Sequence, residues 1–211
     1  IVPLDCTHKV LTTAKRVAAF RELATRPGIV VAEMLDYPCS HCRQLHPHIA
    51  AARERYGDQL AIVLYHIPLS AECNDHLPPG RRGRKEACDY ARLALGVWQL
   101  APDKFPDFHN WLMQGRRAQP IAEANQHALR LVGYRLLLDD KLKSQLIDRL
   151  RKQCDDWHTL NAGLPLLLFS DSAVSGESKG SAEVFQLLED KFGIIAPAGQ
   201  PYPTEIAAAL A

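Results

Sequence analysis

No stretch of this sequence stays apolar for the ~20 residues that a membrane-spanning helix needs, so no such helix is expected. Nor does the chain open on basic residues followed by an apolar run. Residue 1 is Ile rather than Met, and the sequence is expected to be a mature or trimmed product. An excess of one charge is missing too: 25 Lys and Arg against 24 Asp and Glu leave a net charge of +1. That balance gives no electrostatic reason to expect nucleic acid as a partner. The densest basic patch, Arg81, Arg82, Arg84 and Lys85, follows Pro78-Pro79-Gly80 and reads as a solvated loop. There is no internal repeat and no low-complexity tract.

What is present is enough apolar residue, 47%, to build a core, which argues against disorder. The six cysteines exceed what an ordinary cytosolic domain of this size carries and point to an oxidising compartment. Val17, Phe20 and Leu23 stand at helical spacing within 11–23, and Pro27-Gly28 ends that helix. The β-branched run 29–35 reads as a buried strand, 39–56 as a helix, and 60–68 as a second buried strand. From 80 to 161 the character changes to three or four helices. The first covers 87–100, and the last carries the apolar stripe Leu142, Leu146, Leu150, Cys154 and Trp157. Strands return at 165–169 and near Val174, an amphipathic helix closes 181–192, and the Pro- and Ala-rich stretch 197–211 reads as a loosely held tail. A short sheet interrupted by a helical insertion accounts for this order.

Cys39-Ser40-His41-Cys42 falls between a predicted strand and a predicted helix. A sulfur at a helix N-terminus faces unsatisfied N–H groups and the positive end of the helix dipole, and both favour thiolate. Such motifs bring a cysteine from a pKa of ~8.5 into the range ~3.5–7.5. Cys39 is therefore the expected nucleophile, and Cys42, one turn into the helix, the resolving thiol. His41 adds a donor or a positive charge between them. A c-type haem site requires His after the second cysteine, where this chain has Arg43. A zinc site requires two further ligands; His46 and His48 are near, but no second CxxC or spaced histidine pair follows. A purely structural disulfide is the remaining reading.

The segment 30–47 resembles the thioredoxin superfamily, and the whole chain, over about 29–192, resembles its DsbA-type members. The resemblance rests on the CxxC after the first central strand, on Glu33 six positions before it, and on Pro47 five residues after Cys42. It rests also on Gly163-Leu164-Pro165 just before a strand, similar to the family's cis-proline loop. It implies a thioredoxin fold of 1–76 with 162–196, and an inserted helical domain at 77–161 between the second strand and that loop. It implies that Glu33 is a buried proton acceptor for Cys42, that Pro47 bends its helix, and that Ser40, Leu164 and Pro165 meet an extended client segment. Relatives more often carry Thr or Val before the proline, so Leu164 departs from the pattern. Cys73 and Cys88 fall where some relatives carry a structural disulfide. Cys154 reads as a buried thiol, with Cys6 as a conceivable partner.

The function these readings imply is thiol–disulfide exchange with thiol-containing client proteins, in the oxidising direction, without organic cofactor or metal. The implied location is periplasmic or otherwise extracytoplasmic, as a soluble protein or as the soluble domain of an anchored one. By resemblance, a membrane quinone-linked partner recycles such an oxidase. The alternatives are a reductase or isomerase of the same fold, or a metal-binding, copper-chaperone-like module using the CxxC.

Overall fold

The run Ile29–Leu35 is a strand (β2), and every residue from Val31 to Leu35 is buried. A strand covered on both faces sits inside a sheet, and β2 does so in the computed structural model, which describes residues 9–10, 29–77, 84, 86–169 and 172–195. The expected helix over 11–23, the tail 197–211 and Cys6 lie outside the described residues. Five strands, β1 (Lys9–Val10), β2, β3 (Leu60–His66), β4 (Leu166–Leu168) and β5 (Ser172–Ser175), form one sheet in the order β1-β5-β4-β2-β3. β5 is antiparallel to β4, pairing Leu167 with Val174, and antiparallel to β1, pairing Lys9 with Ala173. The two-residue β1 was not expected, because so short a strand shows no alternation to read. β3 stops before Pro68, and the N–H of Ile67 donates instead to the carbonyl of Leu35 at 2.7 Å. It is also less buried than its composition suggests. It lies at the edge of the order, and Ile62, Val63 and Leu64 are only partly covered.

By its contacts the chain separates into two compact units. One holds the described residues up to 33, 44–64 and those from 165 on; the other holds 34–43 and 65–164. The first has its core where helix α1 (Ser40–Tyr56) and helix α7 (Ser181–Phe192) lay apolar stripes on the strands. Leu45, Ile49, Ala52 and Tyr56 of α1 recur at helical spacing and join Val184, Phe185 and Leu188 of α7 with Val31, Leu167 and Val174. Pro47 lies inside α1 without ending it. Glu189 accepts a 2.7 Å hydrogen bond from the Tyr56 hydroxyl, tying the two helices together.

Among the described residues the second unit holds five whole helices: α2 (Ala87–Leu100), α3 (Phe105–Met113), α4 (Ile121–Val132), the single turn α5 (Arg135–Leu138) and α6 (Asp140–Leu160). Sequence periodicity suggested three or four; α5 is too short to show a period. α2 is buried nearly all round and packs on α3, α4 and α6, so it is the centre of the cluster. At Gly96 the Leu136 side chain of α5 takes the place a Cβ would occupy. α6 begins where Asp139 accepts the Leu142 N–H at 2.9 Å, and it buries Leu142, Leu146, Leu150 and Cys154, with Trp157 only half-covered. The architecture is thus a thioredoxin-like α/β core with a helical cluster inserted between β3 and β4.

Candidate active site

Between β2 and α1 the chain turns through Asp36-Tyr37-Pro38-Cys39. The Cys39 N–H donates to the Asp36 carbonyl at 2.9 Å, and the Cys39 carbonyl accepts from Arg43 N–H at 3.1 Å. Cys39 therefore occupies the capping position of α1, where the first-turn N–H groups have no helical partner. The N–H groups of Cys42 and His41 point at its sulfur, and no acidic residue stands in the first turn.

The two sulfurs are unbonded and chemically unlike. Cys39 is half-buried and its pKa is pushed down to about 6. The largest cause is the hydrogen bond donated by the Cys42 thiol; the N–H groups of Cys42 and His41 and the charge of His41 add to it, and partial burial works against it. Cys42 is fully buried, and burial pushes its pKa well above the ordinary thiol value. Sharing its proton with Cys39 and lying near the negative charges of Cys39 and Asp36 push the same way. Ser40 and His41 are exposed at the surface beside Cys39.

Three side chains fasten this turn to the helical cluster. The Arg43 guanidinium donates to the carbonyls of Tyr37 (3.0 Å), Leu112 (2.7 Å), Gly115 (3.1 Å) and Gln114. The Tyr37 hydroxyl is hydrogen-bonded to His109 Nδ1 at 2.9 Å and His66 Nε2 at 3.2 Å, and all three rings are buried. Burial lowers the His66 pKa to about 4, so the ring is neutral at pH 7. Arg84 donates to the carbonyl of Pro38, next to Cys39. The segment carrying Arg84 is bracketed by a disulfide between Cys73 and Cys88. Cys154 is a separate buried thiol on α6.

Cys39, Ser40, His41, Cys42 and Leu164 belong to the unit with the helical cluster, and Glu33 and Pro165 to the other. Glu33 lies in the middle of β2 at 1% exposure, and among the described residues neither carboxyl oxygen has a hydrogen-bond partner. Burial pushes its pKa up to about 8. Leu164 is half-exposed, while Pro165 is buried and its carbonyl accepts the Gly176 N–H at 2.9 Å, holding the approach to β4 against the end of β5.

Sequence reasoning missed Asp36, Arg43, His66 and Arg84 as parts of the site. Asp36 is 4% exposed, yet in sequence it is one acidic residue before Tyr-Pro, a pattern that reads as a turn. Burial pushes its pKa up to about 8, the charge of Cys39 adds to this, and the Leu69 N–H and the charge of Arg84 oppose it. His66 ends an apolar strand, a place where burial was the available signal.

Among the described residues, no group of three or more His, Cys, Asp or Glu side chains is placed to hold a metal ion, and no helix is long and apolar enough to cross a membrane. No family model and no curated protein matches the sequence. Solved structures do. A periplasmic thioredoxin-like protein from Salmonella enterica serovar Typhimurium superposes with a TM-score of 0.63 at 18% identity, over 88% of this chain and 99% of that one. The catalytic domain of Proteus mirabilis ScsC gives 0.65 at 18% identity, over 85% and 98%. The thiol-disulfide exchange protein alpha-DsbA2 from Wolbachia pipientis gives 0.61 at 17% identity, over 85% and 95%. At such identities the likeness establishes the shared thioredoxin-like fold with its helical insertion.

Proposed function

We propose that this chain is a protein thiol–disulfide oxidoreductase whose redox centre is Cys39-Ser40-His41-Cys42, working in the oxidising direction on thiol-containing clients outside the cytoplasm. The observation that carries the reading is the asymmetry of the pair: an accessible sulfur at a helix cap, ionised at neutral pH, beside a fully buried one held protonated. In the oxidised protein a client thiolate attacks Cys39 Sγ, the Cys39–Cys42 bond breaks, and its electron pair leaves on Cys42. A second client thiolate then attacks the client sulfur of the mixed disulfide. Cys39 leaves as the stabilised thiolate and the client carries away a disulfide. Leu164 and Pro165, with exposed Ser40, are proposed to line the client segment, and His41 to favour the Cys39 thiolate. Glu33, buried and with no hydrogen-bond partner for its oxygens among the described residues, is the acid that the family resemblance assigns to Cys42. The extracytoplasmic location and reoxidation by a membrane quinone-linked partner are part of the same proposal. The fold is shared with proteins described as periplasmic and as catalysing thiol–disulfide exchange, which supports it.

The test is trapping. Cys42→Ala accumulates mixed disulfides with reduced, unfolded client proteins through Cys39, seen as reducible adducts on non-reducing gels, while Cys39→Ala accumulates few. Equal trapping by both variants, or by neither, contradicts the assignment.

A further inference from the structure

Tyr37 stands two residues before Cys39, and the main chain around it carries the bonds that shape the redox turn. The Asp36 carbonyl accepts the Cys39 N–H at 2.9 Å, and the Tyr37 carbonyl accepts from the Arg43 guanidinium at 3.0 Å. The Tyr37 hydroxyl lies between two buried imidazoles, 2.9 Å from His109 Nδ1 and 3.2 Å from His66 Nε2. All three residues belong to the same compact unit as Cys39 and Cys42. Each histidine is held independently of the tyrosine. The main-chain N–H of His66 donates to Gln153 Oε1 of α6 at 3.0 Å, His109 is part of α3, and the Phe105 ring lies against both imidazoles, its centroid 6.4 and 5.8 Å from theirs. Counting protons fixes how such a chain is wired. The hydroxyl has one hydrogen, so to bond both imidazoles it donates to one nitrogen and accepts from the other. His66 Nδ1 is buried with no hydrogen-bond partner among the described residues. A buried donor left unpaired is costly, so the hydrogen of neutral His66 belongs on Nε2, where it has an acceptor.

We propose that Tyr37 is a positioning residue for Cys39, clamped by a directed relay in which His66 Nε2–H donates to the Tyr37 oxygen and the Tyr37 O–H donates to His109 Nδ1. The role rests on the exchange chemistry proposed above and adds to it. Cys39 reacts from the capping position of α1, and that position lasts only while the turn 36–39 keeps its shape. Main-chain bonds inside the turn join residues that move together, so they define its shape without anchoring it. The anchors are the bonds that reach elsewhere, and the Tyr37 hydroxyl joins the turn to residues 29 and 72 positions along the sequence. A shift of the turn breaks both of those bonds. The three rings are buried, so no solvent stands ready to replace a lost partner. What the clamp preserves is the aim of the Cys42 and His41 N–H groups at the Cys39 sulfur. Those groups stabilise a thiolate, which exists only in the reduced protein, so the clamp favours the reduced form and makes the disulfide a stronger oxidant.

The experiment compares Tyr37→Phe, His109→Asn and His109→Leu with the wild type, by iodoacetamide alkylation of Cys39 as a function of pH and by equilibration with glutathione. Phe keeps the ring and removes the hydroxyl. Asn offers a polar atom where His109 has Nδ1, and Leu offers none. In Tyr37→Phe and His109→Leu the Cys39 midpoint, near pH 6 in the wild type, rises by roughly half a unit to one unit, and the equilibrium constant for oxidising glutathione at pH 7 falls roughly three- to fivefold. In His109→Asn both stay close to the wild-type values. A Tyr37→Phe protein that melts lower with its midpoint and equilibrium constant unmoved shows a packing role alone; it overturns the proposal and leaves the exchange chemistry intact. A loss in His109→Asn as large as in His109→Leu overturns it likewise. Wild-type cysteines that ignore glutathione overturn the exchange reading and this proposal together. A second measurement needs no variant to fold: ¹⁵N NMR of the wild-type imidazoles at neutral pH shows His66 and His109 both as Nε2–H tautomers, and a hydrogen on Nδ1 of either ring overturns the relay.

Discussion

One helical turn separates two sulfurs whose proton affinities are pushed in opposite directions. The largest cause acting on Cys39 is the hydrogen bond from the Cys42 thiol. Removing that donor in Cys42→Ala therefore raises the Cys39 pKa, even though the helix N-terminus is retained. Iodoacetamide alkylation of reduced wild-type protein is expected to have its midpoint near pH 6, at Cys39 alone. In Cys42→Ala the midpoint moves up and the rate at pH 6 falls several-fold; an unmoved midpoint shows that the helix terminus alone sets the thiolate. At pH 7 a pKa of about 6 favours the reduced form by at most about one unit, ~1.4 kcal/mol, or ~30 mV toward oxidising. Solvent screening at a half-exposed sulfur reduces that. The thiolate thus supplies a minor share of the ~150 mV between thioredoxin and DsbA. The cysteine pair and its place at a helix N-terminus were legible in the sequence because a CxxC before a helix specifies its own local electrostatics. Asp36 was not, because its significance comes from burial and from Leu69 and Arg84, 33 and 48 positions further along the sequence.

At the scale of elements, the redox turn is held through main-chain carbonyls. Arg43, noticed in the sequence only because it excludes haem attachment, joins the first turn of α1 to the end of α3 and residues 114–115. The periodic elements were readable: 181–192 is a helix as expected, and the stripe along α6 is the face it buries. The element ends that sequence blurred are those decided by tertiary hydrogen bonds, such as the end of β3 at His66, after which the Ile67 N–H turns to Leu35, and those too short to show a period, β1 and α5. The Cys73–Cys88 disulfide spans a sequence separation of 15 and closes the loop bearing Arg84 onto α2. In the chain-entropy picture such a closure stabilises by ~3 kcal/mol. Cys73→Ser/Cys88→Ser is expected to lose about that much in urea unfolding, followed by circular dichroism. A loss below ~0.5 kcal/mol would mean the loop is held by its other contacts.

For the whole molecule, the redox state and the pH dependence of stability are one problem. A Cys39 pKa lower in the folded than in the unfolded protein contributes stability above the unfolded value, lost as pH falls through about 6. Only the reduced protein has this contribution, so its melting temperature relative to the oxidised form declines as pH is lowered from 8 to 5. A gap that stays constant over that range contradicts the lowered pKa. Glu33 and Asp36 act in the opposite sense: their raised values favour folding below the ordinary carboxylate range, an advantage lost as pH rises through about 8. The account's central claim is that Cys39 and Cys42 form one oxidising redox couple, and equilibration in glutathione buffers followed by quantitative alkylation tests it most directly. The predicted result is a single two-electron transition involving these two cysteines alone, at a potential more oxidising than the ~−270 mV of thioredoxin. A transition at or below that potential, or cysteines that ignore the buffer, would contradict it.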